Sequence, residues 1–166
     1  MGCGDQREEA PVDGGAIEEV GEPTAQALQG RMPVQRRVID GDRAGMNWGA
    51  GSGWNDGTLA MYPDILQVDL AMPRTLDHVT VYTLQDNPFS PSEPTDAMIF
   101  SNYGIVNFTV EGWNGSAWSV LGTVIGNNHV KRTVTFPPFM TGSIRINVSL
   151  ARGGYSHITE VEAFGF

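Results

Sequence analysis

The chain has 166 residues, 40% of them hydrophobic and 17% charged, with 21 glycines, 10 prolines and a single cysteine. This length suits one domain with a full core, and the glycine and proline content favours many short elements joined by turns over long helices. The net charge of −9, with no basic cluster interleaved with aromatics, argues against a nucleic-acid partner; one cysteine excludes an internal disulfide, and no apolar run reaches the length of a membrane-inserted helix.

Residues 1 to 23 are acidic, contain Gly and Pro and lack apolar periodicity, so they are expected to form a flexible leader, with the folded domain spanning 24–166. The start lacks the charged and apolar regions of a signal peptide. Cys3 admits two readings: the lipidated residue of a lipoprotein whose upstream signal is missing, or an ordinary exposed terminal cysteine.

From Thr24 onward the apolar residues repeat with period two, as a sheet with one buried face requires. Leu66, Val68 and Leu70 share a face; Val79 and Val81 follow, then Tyr82 and the turn chemistry of Asp86-Asn87-Pro88. Val106, Phe108 and Val110 alternate with polar residues up to Asn114-Gly115, a strong hairpin signal that leads into Trp118 and Val120. Val130 to Phe136, Ile144 to Leu150 and His157 to Phe164 complete seven or eight short strands, which reads as all-β, an antiparallel β-sandwich of the eight-stranded jelly-roll type. Two stretches, Ala44 to Pro63 and Pro88 to Tyr103, are too long for tight turns, and long loops on a rigid sandwich are where binding chemistry is usually placed.

Asp40-Gly41-Asp42 puts two carboxylates around a glycine, an arrangement that either caps its own turn or aims oxygens at a hard cation. In His157-Ile158-Thr159-Glu160-Val161 the buried parity switches between Ile158 and Val161, which predicts a bulge near Glu160 that swings this carboxylate toward another loop.

The order Val38-Ile39-Asp40-Gly41-Asp42, Trp48, Trp54, Leu66-Gln67-Val68-Asp69-Leu70, Val79-Thr80-Val81-Tyr82, Phe108-Thr109-Val110, Gly115 to Trp118, Ile144-Arg145-Ile146 and Ile158-Thr159-Glu160-Val161 resembles a discoidin domain, the coagulation factor V/VIII type C family, over roughly Thr24 to Phe166. That family includes bacterial carbohydrate-binding modules with a galactose-binding-like jelly roll. The resemblance implies a structural Ca²⁺ held by the Arg37 carbonyl, the Asp40 side chain, the Asp42 and Gly45 carbonyls, and Thr159 with Glu160. Gly45 departs from the family, which often has Thr there. It also implies a glycan site in the end loops, for which the candidates are Trp54 with Asn55 and Asp56, Tyr62, Gln85, Asp86, Asn87, Phe89, Tyr103, Arg152, Tyr155 and His157. Leu84 stands where relatives often carry Arg, which puts galactose specificity in doubt.

Each candidate has a structural alternative. Trp48, Trp113 and Trp118 read as packing residues, and His157 as a hydrogen-bonded structural histidine. Sequons at Asn107, Asn114 and Asn147 would matter only in a eukaryotic secretory pathway. No paired carboxylates, nucleophile–base pair or phosphate loop is visible, and His78, His129 and His157 lie on separate elements, so no enzyme is expected. The expected function is a non-catalytic, extracellular or cell-surface module that binds a glycan or polysaccharide. The alternative is a structural or adhesive module that pairs with itself or another surface protein through Phe89, Met98, Ile99 and Phe100.

Overall fold

The computed structural model describes residues 38–166. Arg37, Cys3 and the acidic leader lie outside the described residues. Six antiparallel strands follow in chain order: β1 (Trp54–Asn55), β2 (Asp64–Thr83), β3 (Ile105–Trp113), β4 (Trp118–Val124), β5 (Lys131–Ala151) and β6 (His157–Gly165). Short 3₁₀ turns occupy Trp48–Ala50 and Arg152–Gly154. No helix among the described residues is long and apolar enough to cross a membrane.

The strands form one sheet in the order β1-β6-β2-β5-β3-β4. It becomes a sandwich because β2 and β5 each run through both layers. The first arm of β2 (64–69) pairs with 143–148 of β5, the register breaks between Asp69 and Arg74, and the second arm (74–82) pairs with 131–141. β3 and β4 extend the first layer beside the late arm of β5. β6 and β1 extend the second layer beside the late arm of β2. The sequence runs expected as separate strands around Leu66 and Val79 are thus two arms of one strand, as are those around Val134 and Ile146. Counting arms restores the eight segments of a jelly roll.

The inner faces meet in one core that joins Leu66, Phe108, Ile146 and Val148 of the first layer with Val79, Val134, Ile158 and Val161 of the second. Burying each such side chain is worth about 1.5–3 kcal/mol. The layers approach closely at Gly122, where a Cβ would lie 2.3 Å from Val134 Cγ1. A second, smaller cluster of Phe100, Val106 and Val130, with Met98 against it, fastens the 88–104 loop to the sandwich. Phe100 is therefore a loop anchor, which corrects its reading as an interface residue; Phe89 is 98% exposed and Ile99 is exposed.

Candidate functional site

The end of the sandwich that carries the long loops is assembled by β6. β6 pairs with β2 from Leu76↔Gly165 to Tyr82↔Glu160, then slips so that Thr83 faces Ile158, leaving Thr159 as the extra residue. This is the bulge expected from the parity switch, one residue before Glu160. Its first consequence is that Ile158, Thr159, Glu160 and Val161 are all buried.

Glu160 faces the 38–45 loop, where its Oε2 accepts the Asp40 and Gly41 amides at 3.2 Å each. The loop is also tied by Val161 N–H donating to the Val38 carbonyl (2.7 Å) and Thr159 Oγ1 donating to the Arg43 carbonyl (2.9 Å). Burial pushes the Glu160 carboxyl up to about 7; the two amides oppose this, and the Asp40 charge adds to it. Asp42 turns its carboxylate the other way, accepting the Met46 and Asn47 amides and the Ser52 hydroxyl. Those bonds hold it below the usual carboxylate range although burial works against them.

The implied calcium can be tested against this geometry. A buried carboxylate turned toward a loop that bears a second carboxylate, Asp40, is the chemistry of a hard-cation site. The departure at Gly45 also has a local cause. Its φ is +74°, and a Cβ there would lie 2.9 Å from Thr159 Cγ2, so the space a threonine would need is filled by the methyl of the bulge residue. The acid set is sparse: among the described residues no three His, Cys, Asp or Glu side chains converge on one point. Backbone carbonyls of Asp42 and Gly45 would have to supply much of the shell.

The second consequence of β6 is the position of His157, which pairs with Asn55 on β1. Three rings surround its imidazole: Trp48 (centroids 5.4 Å, edge-on), Tyr103 (6.0 Å, edge-on) and Tyr155 (6.3 Å, tilted). His157 Nδ1 is buried without a hydrogen-bond partner among the described residues. Burial lowers its pKa against the opposing charge of Asp56, which favours the uncharged ring. The reading of His157 as a hydrogen-bonded structural residue is thereby corrected. Arg152, on the turn just before Tyr155, is exposed, and its amide donates to the Gly104 carbonyl beside Tyr103.

The remaining candidates divide. Trp54 is 5% exposed and belongs to the main core, so it offers no ring to a ligand. The Tyr62 hydroxyl is engaged with the backbone of Ala151, donating to its carbonyl and accepting its amide. Gln85 is buried and braces two loops: its amide nitrogen donates to the Ala44 and Ser92 carbonyls, and its oxygen accepts the Ser92 amide. Asp86 accepts the amides of Ser101, Asn102 and Tyr103, which positions the Tyr103 ring. These three polar residues brace the loops at this end through bonds to backbone groups, with Gln85 buried and Tyr62 and Asp86 half-buried. Asn87 and Phe89 are exposed on the neighbouring loop, with no ring contact to the cluster among the described residues. Asp56 is buried below the site, accepting the Ser156 amide (2.6 Å) and the Thr58 amide and hydroxyl. Trp48, read from the sequence as a packing residue, is half-buried: its ring lies over Gly53, where a Cβ would come within 2.5 Å of it, and it presents an edge-on contact to His157.

No family model matches the sequence, and no curated protein does. Solved structures do. A family 32 carbohydrate-binding module of C. perfringens in complex with galactose is 22% identical, with 87% of this chain and 94% of that one covered and a TM-score of 0.59. The chain has the discoidin, or galactose-binding-like, fold. The same discoidin fold is shared with a Clostridium perfringens module in complex with GalNAc-β-1,3-galactose (13% identical, 88% and 97% covered, TM-score 0.61). It is shared too with a chitosan-binding module from a Paenibacillus chitosanase/glucanase in complex with chitotriose (11% identical, 86% and 95% covered, TM-score 0.60).

Proposed function

We propose that this protein is a non-catalytic glycan-binding module acting outside the cell, with its site at the ring cluster around His157. The observation that carries the reading is the convergence of Trp48, Tyr103 and Tyr155 on the imidazole of His157 at the loop end of a discoidin fold. A sugar's C–H face packs on such rings, while Asn55 and Arg152 at the same end supply directional hydrogen bonds to hydroxyls. The fold's occurrence in modules solved with galactose and chitotriose supports the ligand class. Affinity is modest, because a shallow site buries little of a sugar.

The Asp40 and Glu160 side chains, with Thr159 and the Asp42 and Gly45 carbonyls, would hold the structural Ca²⁺. When bound, the cation neutralises the buried Glu160 charge and pins the 38–45 loop, and with it the 3₁₀ turn that carries Trp48.

The test is isothermal titration with galactose, N-acetylgalactosamine and chitotriose, using wild type beside Tyr155→Ala and Trp48→Ala. Saturable binding to one of them that either variant weakens at least about tenfold supports the site. Silence on all three, followed by a concentration-dependent mass in light scattering that Phe89→Ala abolishes, would shift the assignment to the adhesive alternative.

A further inference from the structure

A second surface lies on the outer face of the first layer, on the strands of β2, β5, β3 and β4 and not on the end loops. Cross-strand register puts Gln67, Arg145 and Glu111 side by side, since Gln67 pairs with Arg145, and Arg145 with Glu111. The next position along holds Asn147 opposite Thr109, and the hairpin end holds Trp113 opposite Trp118. Period-two alternation sends all of these away from the core, whose members on the same strands are Leu66, Ile146, Val110 and Ile144.

These outward groups form one pre-built network. Glu111 accepts Arg145 Nε (2.5 Å), Asn147 Nδ2 (3.1 Å) and Thr109 Oγ1 (2.8 Å). The Arg145 guanidinium stacks 4.4 Å from the Trp118 ring centroid, and Trp118 tilts against Trp113 at 5.5 Å. The network holds Glu111 below the usual carboxylate range, although burial works in the opposite direction. Glu111 and Arg145 cancel at the heart of the face, and Asp69 at its β2 edge accepts the Gln67 amide. A surface of half-exposed indoles beside amide and guanidinium groups, its carboxylates bonded to neighbours, does not suit a polyanion or an acidic peptide. It matches an uncharged polyhydroxylated chain, whose hydroxyls exchange water for fixed donors and acceptors at little entropic cost. Four strands at about 4.8 Å spacing give it a width of about 14 Å, more than one sugar can cover.

We infer that this sheet face binds an extended, uncharged polysaccharide, separately from the terminal-sugar site at His157. The test is affinity electrophoresis of the full chain in native gels containing barley β-glucan or galactomannan, with polygalacturonate as the charged comparison. Wild type is expected to be retarded by a neutral polymer. Trp118→Ala and Gln67→Ala should each weaken retardation at least about tenfold. Gln67 is half-exposed, and among the described residues its side chain bonds Asp69, so its variant keeps the wild-type melting temperature and controls for any unfolding in Trp118→Ala. Tyr155→Ala should leave retardation intact. The inference is overturned if neither neutral polymer retards wild type, if only the charged polymer does, if folded Gln67→Ala and Trp118→Ala both run as wild type, or if Tyr155→Ala abolishes retardation. Monosaccharide titration reads the other site, so the failure of one leaves the other standing.

Discussion

Asp64 opens β2 with its carboxylate buried, 3% exposed, and its only hydrogen bond among those described comes from the Ser156 hydroxyl at 2.7 Å. Burial pushes its pKa from 3.8 up to about 6; the Ser156 bond pulls the other way, and the nearby Asp56 charge adds to the rise. Because the folded state binds this proton more tightly than the unfolded chain, the contribution is fully present below pH 3.8 and is lost as pH rises through about 6. The gap between those two values corresponds to about 3 kcal/mol of folding free energy. Asn at this position keeps an acceptor for Ser156 and carries no charge, so Asp64→Asn should be more stable than wild type at pH 8 by up to about 3 kcal/mol, and no more stable at pH 4. Urea unfolding of both proteins across this range isolates the effect, since every other titrating group is common to the pair and cancels in the difference. A difference that stays constant with pH, or grows as pH falls, would refute the reasoning.

Trp54→Ala should cost about 3–5 kcal/mol, as large-to-small core changes do, and appear as a fall in melting temperature before any loss of sugar affinity. Gly45→Thr should lower the melting temperature even with calcium present, since the residue needs a positive φ and its Cβ meets the Thr159 methyl; recovery in Gly45→Thr/Thr159→Ser would locate the clash. EDTA should lower the melting temperature of wild type but not of Glu160→Gln, and equal responses would remove the cation from this loop. Phe89→Ala should change stability by less than about 0.5 kcal/mol, while Phe100→Asp should unfold the 88–104 loop, detected as lost protection of its amides in hydrogen exchange.

Where one physical rule acts, the sequence was readable. Period-two alternation located the strand arms except the two-residue β1 (Trp54–Asn55), which lay inside the stretch expected as a loop, and the parity break between Ile158 and Val161 located the bulge that brings Glu160 to the loop. What could not be read is which residues face which way in segments without a period. Trp48 and Trp54 sit six positions apart in one Gly-rich loop, yet only β1 pairing with β6 turns Trp54 inward and leaves Trp48 beside His157. Gln85 and Asp86 have the chemistry of sugar ligands, but their side chains are engaged by backbone groups of neighbouring loops, which no spacing in the sequence announces. The outward network of Glu111, Arg145 and Asn147 was likewise invisible, because register across β3 and β5 is set by the fold and not by either strand alone.

Because β2 and β5 belong to both layers, the molecule has no seam. A load that pulled the layers apart would act on continuous backbone and a shared ladder of paired strands as well as on the side chains packed between the layers. The two layers should therefore fail together, as a single cooperative event.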